Sequence, residues 1–259
     1  MRKYSFVALL LFIACAVFRI LGIFFPQTSL YTALFYVLLL LALAFEALQS
    51  FSNSNYSPVF NGRDNFRLKL FAIFAGAGMF VDFVSCAVGI YKCALSRSET
   101  TMQIVLQVLL SLSALLACLC MLSCAMSFSD GNAYDFRKLE WLNVMPLAWL
   151  IIRCMSGLTD VYGVEDINSA LMYLCAVLGV GAFYSFAYET QNDGGARGLS
   201  VFCFNSFSAC SGMAVLSKAV TLVHGGVSVD EKTVFTLSLL LAGTFTYSLG
   251  RNALNDSVY

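Results

Sequence analysis

Apolar positions follow one another in runs of about 20 residues along nearly the whole chain, the length a helix needs to cross the hydrocarbon core of a bilayer. These runs predict membrane-spanning helices over 5–25, 29–48, 69–91, 102–127, 141–158, 167–188, 199–223 and 232–250. Polar turn chemistry separates them: Pro26-Gln27 after the first, a Ser/Asn-rich stretch from Gln49 to Phe66 after the second, and Asn192-Asp193-Gly194-Gly195 after the sixth. The fifth run is short and carries Pro146 and Arg153, so a seven-helix count is the alternative; Trp141 and Trp149 give it aromatic interface anchors. The expected fold is all-α, a polytopic transmembrane bundle of eight helices forming one integral membrane domain over 1–259.

Composition sharpens this picture. Of the 259 residues 59% are hydrophobic and only 12% charged, about half the charged share of a soluble domain. Lys and Arg number fifteen against fifteen Asp and Glu, a balance that recommends no nucleic acid as partner. With both termini cytoplasmic, the inner segments collect Arg2, Lys3, Arg63, Arg67, Lys69, Arg137, Lys138, Arg197 and Arg251, and the outer loops only Lys92, Arg97 and Lys232. A bacterial cytoplasmic membrane is the expected location. The N-terminus has features of a signal peptide, with Arg2-Lys3 and Ala14-Cys15-Ala16. Its apolar run continues to Phe25, however, which predicts retention as a full span. Matching charges near the starts of the first and fifth helices, with Glu46 and Glu189 closing the second and sixth, raise a tandem arrangement of four-helix halves, 1–130 and 131–259.

Inside the spans, ionisable groups carry the information, because a charge at the bilayer centre costs roughly 2.5–3.5 kcal/mol even on the insertion scale. Asp82 is the clearest case, sharing one face of the third helix with Ala75, Gly78, Ser85, Cys86 and Gly89. It is a candidate cation or proton site, or else a carboxyl paired across a helix interface. The seventh helix sets Asn205, Ser208, Ser211, Gly212 and Lys218 on one broad side. Asn205 and Ser208 are candidate substrate donors and Lys218 a counter-charge for Asp82, with snorkelling of Lys218 to the headgroups as the alternative. Arg19, Glu46 and Arg153 lie near helix ends, where snorkelling accounts for them and gating is the alternative. The stripe Gln103, Gln107, Ser111, Ala114 and Cys118 on the fourth helix suits interhelical hydrogen bonding. Tyr173, Gly181, Tyr184 and Tyr188 align on the sixth, as packing or as the wall of a ligand cavity.

No catalytic constellation emerges. The sole histidine, His224, follows Ser211 on the same helix at about 19 Å, too far to serve as its base, and Asp82 is the only acid deep within a span. Ten cysteines lie mostly in apolar runs, without the paired spacing of a zinc site, so neither a metal nor another cofactor is expected. The readings that remain are a transporter or transport-system subunit, moving an ion or small solute through a cavity around the third and seventh helices, and a non-transporting sensor or assembly subunit. In the second, the stripes bind partner subunits and the segment from Gln49 to Leu68 contacts a cytoplasmic protein.

Overall fold

The computed structural model describes residues 2–26, 29–52, 56, 59, 66–96, 101–128, 140–159, 167–191, 196–225 and 230–255. Among the described residues there are nine helical segments: α1 (Arg2–Phe24), α2 (Ser29–Ser52), α3 (Phe66–Ser96), α4 (Thr101–Ser127), the single turn α5 (Glu140–Asn143), α6 (Met145–Thr159), α7 (Ile167–Glu189), α8 (Gly198–Gly225) and α9 (Glu231–Asn255). Seven of them, all but α5 and α6, are long and apolar enough to cross a membrane. The chain is an all-helical integral membrane protein. Residues 129–139 with Arg137 and Lys138, the turn 192–195, and Arg63 and Arg97 of the charge tally lie outside the described residues, as does the Gln103 side chain.

The fifth predicted span is realised in two pieces. Pro146 lacks an N–H and occupies the first turn of α6, where no intrahelical donor is needed, and the chain turns at Val144 between α5 and α6. Pro26 stands just beyond the end of α1, again where a helix has already stopped. At the start of α9, Asp230 acts as N-cap: its Oδ1 accepts from the Thr233 amide at 2.8 Å and from the Thr233 hydroxyl. Burial lifts the Asp230 carboxyl, but the two Thr233 bonds and the Lys218 charge outweigh it and hold the group below the ordinary carboxylate range. The far end of the bundle uses a tertiary cap. Glu189, closing α7, accepts from Ser200 Oγ at 2.6 Å and from the Arg197 amide at 3.2 Å, and so anchors the start of α8.

Six helices close into a ring in which α3 packs on α4, α4 on α6, α6 on α7, α7 on α8, α8 on α9, and α9 back on α3. A contact between α7 and α9 crosses the ring, and aromatic edges fill its interior: Phe186 on Phe245, Phe183 on Phe207, Trp149 on Phe235. The α1–α2 hairpin stands outside the ring and docks on α8. Within 1–130 the helices pair as two hairpins, α1–α2 and α3–α4, whereas 131–259 forms a continuous ribbon from α6 to α9.

Small residues set the closest approaches. A Cβ on Gly78 would lie 3.0 Å from Leu241 of α9, and the carbonyl of Gly78 accepts from Ser238 Oγ at 2.7 Å, so α3 and α9 meet almost backbone to backbone. The same logic joins α2 to α8, where a Cβ on Gly198 would lie 2.5 Å from the Ser50 carbonyl oxygen.

Candidate functional site

Three helices of the ring converge on Asp82. The carboxylate is fully buried and accepts three hydrogen bonds from α6: Arg153 Nη2 to Oδ1 at 2.5 Å, Arg153 Nε to Oδ2 at 3.3 Å, and Trp149 Nε1 to Oδ2 at 2.8 Å. Trp149 and Arg153 are four residues apart, one helical turn, so both project from α6 into the ring. The fork of the guanidinium matches both oxygens of the carboxylate, the geometry in which such pairs are strongest. From α9, Glu231 Oε1 takes Arg153 Nη1 at 2.7 Å, and the Phe235 ring lies 4.8 Å from the guanidinium carbon. Cys86, one turn beyond Asp82 on α3, places its sulfur 3.3 Å from Nη2.

Exposure rises along this chain of charges, from 0% at the Asp82 side chain through 8% at Arg153 to 37% at Glu231. The triad therefore runs from the buried interior toward the end of the bundle where α9 begins, and it carries one net negative charge. Among its contacts, α6 meets α3 and α9 mainly through these long side chains, while its backbone packs on α4 and α7.

The four residues expected to share a cavity do not meet. Lys218 binds Asp230, with Nζ at 3.3 Å from Oδ1, rather than Asp82. The reason is the order of helices in the ring: α9 stands between α3 and α8, so the cation that reaches Asp82 comes from α6. Ser208 and Ser211 face α9 at Gly243, where a Cβ would meet the Ser211 hydroxyl. Asn205 points to α2, donating from Nδ2 to Glu46 Oε1 at 2.7 Å.

The charges expected to snorkel at helix ends are buried instead. Arg19, Glu46 and Arg153 are all more than nine-tenths buried. Arg19 donates to Ser217 Oγ and to Asn168 Oδ1, both at 2.7 Å, and Ser217 donates to the same Asn168 oxygen at 2.5 Å. Each of these three charged groups is met by polar partners across a helix interface, which removes the need to reach the headgroups. Gln107 and Ser111 of α4 do face protein, Tyr184 of the tyrosine stripe is exposed, and His224 packs its ring against Phe24 at the end of α8.

Trp149 and Glu231 belong to the Asp82 group, although the sequence pointed to an interface role for the first and did not single out the second. Trp149 is fully buried rather than an interface anchor, and Glu231 falls one residue before the predicted eighth span. Together these features define a helical membrane protein with an ionic cluster held inside a ring of six helices. Comparison with protein-family models, curated protein sequences and solved structures returns no match.

Proposed function

We propose that the chain is a small multi-pass membrane transporter, or a transport-system subunit, that moves an ion or small solute along the interior of the six-helix ring. The observation that carries this reading is the Asp82–Arg153–Glu231 triad, three ionisable groups from three helices meeting inside the bundle. Ionisable groups within membrane spans are rare, face a bundle interior or a cavity, and mark substrate and ion pathways. In the state described, the triad with Trp149 and Phe235 fills the ring and acts as its closed gate. Opening separates α6 from α3 and α9, the contact made mainly by side chains.

The test is water access. Single cysteines at Met79, Leu150 and Leu239, buried positions on α3, α6 and α9, are placed in a background with all native thiols replaced. Charged thiol reagents are then applied from each side of sealed proteoliposomes, with and without Arg153→Gln. Modification that appears or rises tenfold in the Arg153→Gln background supports a gated path. Protection of all three positions from both sides in both backgrounds removes it. The second reading, a non-transporting sensor or assembly subunit, has its own support: each oxygen of Asp82 already has a donor within the chain. Uniform protection is the outcome that reading expects.

A further inference from the structure

Glu46 is a buried acid that the gate does not use. It lies six residues before the end of α2, about 9 Å along the helix from its terminus and within the apolar span Ser29–Ser52. Its one hydrogen bond comes from the neutral Asn205 amide of α8. Three other ionisable groups at this end of the bundle, on or beside α7 to α9, do not reach it. Glu189 caps α8, Arg197 stacks on and donates to Tyr188, and Arg251 at the end of α9 is exposed. Facing Glu46 from the elements packed on α2, the described side chains include no cation.

A second observation falls on the same interface. Four buried side-chain polar atoms among the described residues have no partner, and two of them, Gln49 Oε1 and Ser50 Oγ, lie on α2 within about a turn of Glu46. Ser50 is 1% exposed and shares the α8-facing side of α2 with Glu46. Buried polar atoms are nearly always satisfied, so a pair of orphans beside an uncompensated carboxyl signals an occupant. Asn205 turns its nitrogen to Glu46, so the atoms left to meet an occupant are the oxygens of Glu46, Gln49 and Ser50, the kind of ligand hard cations take, and a lone acid in an apolar setting is neutralised by taking up one positive charge.

The geometry points to a binding site for a single monovalent cation, a proton or a sodium ion, at the α2–α8 interface, with Glu46 as its charged ligand, Ser50 as a neutral one, and Asn205 as the donor that holds the carboxylate in place. The site is separate from the Asp82 gate and its occupancy is independent of whether the chain transports a solute. Sodium would draw on the orphaned oxygens; a proton would need only the carboxyl.

Infrared spectroscopy of the full-length protein in lipid tests it, reading the C=O stretch of protonated carboxyls at neutral pH in sodium-free buffer. Carbon-13 glutamate labelling assigns glutamate bands without mutation, and Glu46→Gln and Glu46→Asp assign the residue. The expected result is one protonated-glutamate band that vanishes in Glu46→Gln and moves to the aspartate position in Glu46→Asp. Loss of that band on adding NaCl but not KCl identifies sodium as the occupant; persistence in both salts identifies the proton. Absence of any Glu46-dependent protonated band in sodium-free buffer overturns the proposal, since the carboxylate would then be charged with nothing bound.

Discussion

Replacing Arg153 with Met keeps the length of the side chain and removes the cation from the ring. Asp82 then loses two of its three hydrogen bonds and keeps only Trp149 Nε1 at 2.8 Å. Breaking a buried pair by deleting one partner costs about 3–5 kcal/mol, because the remaining charge is left in an apolar setting. Asp82→Asn is milder, about 1–3 kcal/mol, since Arg153 retains Glu231 and only buried donors are orphaned. The double variant Asp82→Asn/Arg153→Met leaves no unpaired charge at Asp82 and returns to within about 1 kcal/mol of the parent. The single effects together come to about 4–8 kcal/mol against about 1 for the double variant, so the coupling between the two sites is about 3–7 kcal/mol, at or above the upper end for pairs in direct contact. Reversible unfolding in mixed micelles measures it, with Trp emission as the signal, because Trp149 is one of two tryptophans in the chain and touches the pair. Single effects that add to within about 0.5 kcal/mol in the double variant refute the reasoning, for then the two charges do not share an interaction.

Three smaller perturbations probe other contacts. Lys218→Met costs no more than about 1 kcal/mol in the same unfolding assay, because its partner Asp230 is 44% exposed; a loss comparable to that of Arg153→Met would restore Lys218 as the partner of Asp82. Gly198→Ala destabilises by about 1–3 kcal/mol, since its Cβ would lie 2.5 Å from a backbone oxygen of α2 that cannot move aside as a side chain would; an unchanged melting temperature would mean that α2 does not pack there. Asp230→Asn removes a charge whose folded-state ionisation is favoured by Thr233 and Lys218, so the parent's advantage is full above about pH 4 and fades as acid titrates the carboxyl through its lowered value. Melting curves taken from neutral to acid pH check this, and an advantage that grows toward low pH contradicts it.

The apolar runs made the fold class and the span positions legible, because helix length in a bilayer is set by thickness and needs no tertiary information. They missed the break at Val144, which a four-residue turn before Pro146 hides inside one continuous apolar stretch. The burial of Asp82 was legible too, from the small residues on its face of α3. Its partner was not. Arg19, Arg153 and Lys218 all lay inside spans, and periodicity reports which face of a helix is buried without saying which helix comes to cover it. One local signal did exist: Trp149 and Arg153 sit one turn apart, an indole donor beneath a guanidinium, which is the pair of donors that a buried carboxylate accepts from. Glu46 was obscured for a different reason. Distance from a helix end suggests snorkelling only if that face meets lipid, and the α1–α2 hairpin turns it toward α8 instead.

The shortness of α6 ties the fold to the Asp82 cluster. Its fifteen residues extend about 22 Å, less than the roughly 30 Å of a hydrocarbon core, and the turn at Val144 separates it from the four residues of α5 that would make up the difference. Such a segment holds its depth by its attachments rather than by its own length. At one end Asn143 donates to Thr190, just beyond α7, at 3.4 Å and accepts a contact from Cys120 of α4; toward the other, Arg153 grips Asp82 and Glu231. The first attachment joins α5–α6 to helices it already packs against, and the second joins α6 to helices it otherwise barely touches. On the transport reading, rupture of the second alone frees α6 to swing on the first. At about 3–5 kcal/mol that rupture leaves an open form roughly 10²- to 10⁴-fold rarer than the closed one. A population of that size is small enough to keep the membrane sealed and large enough for a solute that competes for Arg153 or Asp82 to shift.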